Sequence, residues 1–169
     1  MKHHRKRVFA AIGITAVGAL VGTALMVVPA LATPPSGVTV TPLAPVAQFG
    51  EINAKAMSGD WKARIKTKGV SDLHVVQVTI DPGGTLGWHS HLGPSFVIVK
   101  SGTASFYHAD DPTCTRHEIP TGSSLFEPAG NVHIVRNEGS VPLVNVVVQL
   151  LPTGAPRLIS EPNPGNCPF

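Results

Sequence analysis

The sequence predicts an all-β sandwich or barrel, and three observations carry that expectation. Across residues 60–151, eight to ten short stretches rich in β-branched and apolar residues follow one another, each bounded by Gly, Pro or Asn. None of them shows the 3.6-residue apolar period of a helix. Two segments, residues 83–102 and 122–137, share one grammar of glycine-marked turn followed by strand.

Residues 1–32 begin with a basic cluster at 2–7, continue through an uncharged apolar run at 8–28, and end in Pro29-Ala30-Leu31-Ala32, with small residues where an export signal is cut. They read as a hydrophobic leader helix cleaved after Ala32. The run is also long enough to span a bilayer, so an uncleaved membrane anchor at 8–28 is the alternative. Either way the folded part lies outside the cytoplasm.

Residues 33–58 read as a linker and N-terminal arm. Pro34, Pro35, Pro42 and Pro45 oppose a helix, leaving a short strand at 38–41 and undecided structure at 48–58. The barrel is assigned to 59–152. There, 61–67 alternates apolar and polar, 73–80 is a β-branched run, and Asp81-Pro82-Gly83-Gly84 reads as a turn. Further strands are expected at 103–108, 116–119, 124–126, 132–136 and 143–151. The proline-rich tail 153–169 is expected to be extended and irregular.

The chain of 169 residues carries 13 Lys and Arg against 10 Asp and Glu. Four of the basic residues, Lys2, Arg5, Lys6 and Arg7, lie in the leader, so from Thr33 onward nine basic residues meet ten acidic ones. The basic balance is a property of the leader, and no nucleic-acid footprint remains on the folded part. The two cysteines, Cys114 and Cys167, fall in that exported part and are expected to form a disulfide; two unrelated thiols are the alternative.

His89 and His91 stand two apart beside a strand-like run, so their side chains share one side. Gly83 is followed after five residues by His89, after one more by His91, and the run closes at Gly102. In the second segment Gly122 is followed after five residues by Pro128, then by Gly130, His133 and Asn137 at spacings of one, two and three residues. In this order the two segments resemble the paired motifs of the cupin superfamily, and the chain is similar to small, exported, single-domain cupins of unassigned role. The resemblance implies a jelly roll, the double-stranded β-helix barrel, in which His89, His91 and His133 converge on one divalent transition metal. It also implies a homodimer. By chemistry, Gly83, Gly102, Gly122, Gly130 and Pro128 suit turns, and Asn137 suits the fixing of one.

One position departs from the motif. Ser95 stands where the family usually carries a Glu as fourth ligand, which implies three neutral imidazoles with water completing the shell. Nitrogen donors suit Fe, Zn, Ni, Cu or Mn better than Mg or Ca, and the identity of the ion stays open among these. Glu127, beside Pro128, is read as an outward, solvated strand residue, with a replacement oxygen for the missing ligand as the alternative. His74, His108 and His117 are read as surface or hydrogen-bonded core residues, and Trp88 and Phe96 as core or dimer-face residues.

Two functional classes follow. One is a metalloenzyme acting on a small molecule in the manner of a dioxygenase or an isomerase, although no general base is evident in either motif. The other is a non-catalytic exported protein that binds a small ligand or the metal itself. A metal-free structural barrel needs only the fold.

Overall fold

The computed structural model describes residues 32–169, so the leader helix and its cleavage lie outside the described residues. Those residues are all-β and contain no helix. Twelve strands follow in order: β1 (Ser36–Pro42), β2 (Ala47–Phe49), β3 (Asn53–Ser58), β4 (Trp61–Lys66), β5 (Ser71–Ser90), β6 (Ser95–Ser101), β7 (Thr103–His108), β8 (His117–Pro120), β9 (Ser124–Glu127), β10 (His133–Arg136), β11 (Leu143–Pro152) and β12 (Ile159–Ser160). Ten of them join one sheet with the order β8-β7-β10-β5-β11-β6-β9, to which β1, β2 and β12 add along β5. The sheet curls into a nearly closed barrel.

β5 is the spine. Its first half pairs with β1, β2 and β11, and its second half pairs with β10 and β12. The expected turn at 81–84 is a wide bulge within this one strand: β1 pairs Ser36 with Thr85 and Val38 with Ile80, so the four residues between are extruded opposite Gly37. Gly83 takes φ of +77° there, a conformation that opposes any residue with a Cβ.

Segments that composition left as linker and tail are also built into the sheet. β1 replaces much of the expected linker, and β12 stitches the tail to Ser90 and His89. β3, over residues left undecided by their weak pattern, and β4, the strand expected at 61–67, form a separate two-stranded hairpin.

Period-two alternation divides the barrel interior into two ends. Val76, Val78 and Ile80 of β5 pack with Val97 and Val99 of β6, Phe106 of β7, Val135 of β10 and Leu143 and Val147 of β11. Toward the other end the same inward positions turn polar: Ser95 on β6, Gln149 on β11, Glu127 on β9, His89 on β5 and His133 on β10 are all buried. A second apolar cluster lies outside the barrel wall, where Trp88, Tyr107 and Ile134 pack under Cys167 and Phe169 of the tail. The Cys114–Cys167 disulfide is formed and pins the tail there.

Candidate metal centre

Strand alternation makes the site. Trp88 and Ile134 face outward under the tail, so their neighbours His89 and His133 face inward, and the two histidines are direct register partners across β5 and β10. His91 lies just past the end of β5. Its backbone carbonyl accepts the Gly130 N–H at 2.8 Å, which joins the turn of the second motif to the first. The three rings lie with centroids 4.3 to 5.3 Å apart, and one ligating nitrogen from each falls within 4.8 Å of the others. The three histidines expected to meet do so, and each is at most 3% exposed.

Each ring is oriented from behind. The Nδ1 of His89 lies 2.8 Å from the Gly87 carbonyl, that of His91 2.8 Å from the Arg157 carbonyl, and that of His133 2.9 Å from the Asn131 carbonyl. A carbonyl can only accept, so at His89 and His133 these contacts place the proton on Nδ1 and leave the Nε2 lone pair free, the tautomer that ligates a metal. At His91 the shorter contact, to the carbonyl, favours the same tautomer over the Gln149 amide nitrogen 3.0 Å from that Nδ1. Gly87 is fixed in place by its neighbours: its φ is +70°, and a Cβ there would meet the Thr33 carbonyl oxygen at 2.0 Å.

Glu127 corrects the preferred sequence reading and takes up its alternative. It is not outward and solvated but 4% exposed, with Oε2 3.2 Å from His91 Nε2 and Oε1 3.3 Å from His133 Nε2. The reason is register. Ser95 on β6 and Glu127 on β9 are cross-strand partners, so the carboxylate absent at 95 enters the same space from the adjoining strand. A buried carboxylate thus stands beside the three imidazoles, where water alone was expected. Phe126 takes the outward position instead and pairs with Phe96, both more than half exposed.

Burial alone would raise the Glu127 carboxyl, yet His133 and His91, when they carry a proton on Nε2 toward it, outweigh burial and hold the group well below the usual carboxylate range. His89 is pushed down to about 3, by burial first and then by the charge His133 can carry. The Nε2 atoms of His91 and His133 are buried and have no aligned hydrogen bond, despite the nearby carboxylate. Lone pairs facing an anion in a dry cavity repel it unless a cation stands between them. The donor set thus fits a transition metal on the evidence of its own unpaired atoms.

The site opens on a small cavity of about 30 Å³, bounded by His89, His91, Ser95, Glu127, Asn145 and Gln149 with Arg157 at its edge. A separate recess of about 200 Å³ reaches Glu127 and His133 from the side of β7 and β8. His108 and His117, expected to be uninvolved, line that recess with their rings 5.6 Å apart and supply none of the three clustered nitrogens. His74 stands away from the site on the first half of β5. Asn137 acts as expected: its Nδ2 donates to the carbonyls of Ile80 and Val141, and its Oδ1 accepts the Gly139 N–H.

The family model of the cupin domain matches residues 76–149, which hold both motifs and all four converging side chains. These residues form a cupin domain. Among solved structures this cupin is similar to the polyketide cyclase RemF from Streptomyces resistomycificus, at 15% identity and a TM-score of 0.51, over 80% of this chain and 84% of that one. It is also similar to a cupin superfamily protein from Desulfitobacterium hafniense, at 14% identity and a TM-score of 0.44, over 68% and 77% of the two chains. A predicted oxalate decarboxylase from Thermotoga maritima matches at 20% identity and a TM-score of 0.40, over 50% and 83%. At these identities the likeness concerns the fold. No curated protein matches the sequence.

Proposed function

We propose that this cupin binds one divalent transition metal through His89, His91, His133 and Glu127 and uses it on a small organic molecule. The observation that carries the reading is the convergence of three oriented, buried imidazoles on a buried carboxylate with no protein cation between them. When bound, a redox-active ion would supply dioxygenase-type chemistry, and a Lewis-acidic one isomerase- or hydrolase-type chemistry. The chain's own contribution is to fix the ring tautomers through the carbonyls of Gly87, Arg157 and Asn131 and to exclude bulk water by the narrow apolar walls of the cavity.

A second reading, a non-catalytic binder, is favoured by one feature. The titratable groups lining the cavity are the proposed ligands and Arg157, so no side chain there is free to shuttle protons. Metal content by mass spectrometry tests both readings: stoichiometric metal in the wild type and none in His91→Ala supports them, and a metal-free wild type that melts unchanged on metal addition rejects them. Oxygen uptake with phenols, thiols and β-diketones then separates turnover from binding.

Export is proposed with this function. The disulfide supports it, since such bonds persist in oxidising compartments. Amino-terminal sequencing of the exported protein should begin at Thr33, whereas a sequence beginning within the leader places the anchor at 8–28. A homodimer is proposed through the outer face carrying Phe96, Ile98 and Phe126, each exposed by more than half. Light scattering should report twice the chain mass, falling to one for Phe96→Glu; a monomeric wild type refutes the pairing.

A further inference from the structure

One charged side chain at the cavity is not accounted for by metal binding. Arg157 leaves the tail beside the mouth of the site, half-buried, and its main chain and side chain have separate tasks. The backbone carbonyl orients His91, and the guanidinium Nε donates to Gln149 Oε1 at 2.9 Å while Gln149 Nε2 donates back to the Arg157 carbonyl at 3.2 Å. That exchange holds the guanidinium against the cavity, and its terminal nitrogens have no partner among the described residues.

Its charge is also unanswered. All ten acidic residues of the sequence lie among the described residues, and none of them forms an ion pair with Arg157, whereas Arg116 and Arg136 both reach Glu138. Burial lowers the affinity of Arg157 for its proton with no neighbouring carboxylate to compensate. A half-buried guanidinium without a counter-charge is a cost the fold carries alone, and its planar fork matches a carboxylate.

The rest of the cavity completes the pattern. Ser95 and Asn145 are at most 3% exposed, and Ser95 Oγ and Asn145 Oδ1 have no hydrogen-bond partner among the described residues. They line the same small space as Arg157 and the metal-facing side chains, among the apolar walls of Val78, Val97 and Val147. A cavity of this size admits a body of about two waters before its walls must move. The divalent ion, Glu127 and Arg157 together leave an excess of positive charge, which attracts an anion and disfavours neutral or cationic ligands.

We propose that Arg157 is the anchor for the carboxylate of a short-chain carboxylic acid, held with its other end toward the metal and its polar substituents against Ser95 and Asn145. This rests on the metal-binding reading above, and it narrows the substrate or ligand to small carboxylates. Arg157 acts as a specificity-determining residue. Its side chain, unlike its carbonyl, can be exchanged without removing the support of His91.

The test uses the full-length chain, loaded with zinc and titrated calorimetrically with acetate and lactate, with acetamide, lactamide and chloride as controls. Metal stoichiometry is measured first, on the wild type, Arg157→Gln and Arg157→Lys. The expected result is that the carboxylates bind and the amides do not, that Arg157→Gln weakens binding at least tenfold with zinc content unchanged, and that Arg157→Lys recovers part of the loss. Unchanged carboxylate affinity in Arg157→Gln overturns the proposal, as does the absence of carboxylate binding to the loaded wild type. Chloride binding as tightly as lactate overturns the assignment of a carboxylate. Failure to take up zinc refutes the metal reading instead. Titration of the metal-free chain then decides this one, where loss of carboxylate binding in Arg157→Gln upholds it and no binding overturns it.

Discussion

Replacing Glu127 by Gln keeps the shape of the side chain and one oxygen donor but removes its charge. In the structure the carboxylate oxygens lie 3.2 and 3.3 Å from two imidazole nitrogens that themselves face the ion position. A metal about 2.1 Å from those nitrogens, on the side the carboxylate faces, would stand within roughly 4 Å of the carboxylate. Unit charges at that distance attract by about 4 kcal/mol at an effective dielectric of 20, and a divalent ion doubles this to about 8 kcal/mol. If half is offset by desolvation and by water taking the position, about 4 kcal/mol remains, or about 10³-fold in affinity.

Thermal shift reads this directly. With metal at about a thousand times the wild-type Kd, binding stabilises the folded chain by about 4 kcal/mol, which for a domain of this size raises Tm by about 15 °C. At the same metal concentration a variant with a Kd about 10³-fold weaker gains about 0.4 kcal/mol and moves by about 2 °C. A Glu127→Gln protein that still shifts by more than about 10 °C shows that the carboxylate does not face the ion. The cross-strand pairing of Ser95 with Glu127 would then bring no charge to the ion. His91→Ala serves as the control that loses the shift by removal of a nitrogen ligand.

The metal-free chain is expected to be acid-labile. His89 protonates at about 3 when folded against 6.5 ordinarily, so between those values the unfolded chain binds a proton that the folded one refuses. The stability it contributes is complete above pH 6.5 and is lost as pH falls toward 3, up to about 4 to 5 kcal/mol in all. Glu127, held below its ordinary 4.5, adds to the loss below that pH. Urea midpoints of metal-free protein at pH 8 and pH 5 check this, and equal midpoints would contradict the burial of His89. Cleaving the disulfide, whose cysteines stand 53 residues apart, should cost about 4 kcal/mol by loop entropy. Because the freed tail also carries the carbonyl behind His91, the Cys114→Ser, Cys167→Ser double variant should bind zinc about 10- to 100-fold more weakly. Unchanged zinc affinity in that variant would separate the tail from the site.

The parts of the centre that were legible in the sequence are those fixed within one turn and its strand. His89 and His91 share a side because strand geometry repeats every second residue, and the two motifs set the backbone that brings His133 opposite His89. Asn137 was legible for the same reason, since its partners at Gly139 and Val141 are close in sequence. Glu127 was not. Its direction depends on whether Phe126 or its neighbours point inward, and an apolar Phe beside a charged Glu suggests the wrong choice. The deciding fact is the pairing of β9 with β6, which sets Glu127 against Ser95 across 32 residues of sequence. The gap at Ser95 was the available signal, because a vacant ligand position invites a carboxylate from a neighbouring strand. Arg157 and β12 were hidden more completely. A proline-rich tail has no periodicity to read, and it is ordered by a disulfide and by pairing with β5.

That pairing explains how so small a barrel can hold three buried imidazoles and a carboxylate in place. His89 and His133 press into the barrel from strands whose outer faces, Trp88 and Ile134, would be solvated in a bare sheet. The tail covers them, so a shift of either histidine requires a dry cluster on the far side to move as well. The same tail returns through β12 to His89 and Ser90 and through Arg157 to His91, and Thr33 closes the edge by accepting the Trp88 N–H at 2.6 Å. Rigidity at the centre is thus supplied by the chain's two ends, outside the motifs that mark the family. Variation there is expected to tune metal affinity and ligand choice while the motif residues stay unchanged.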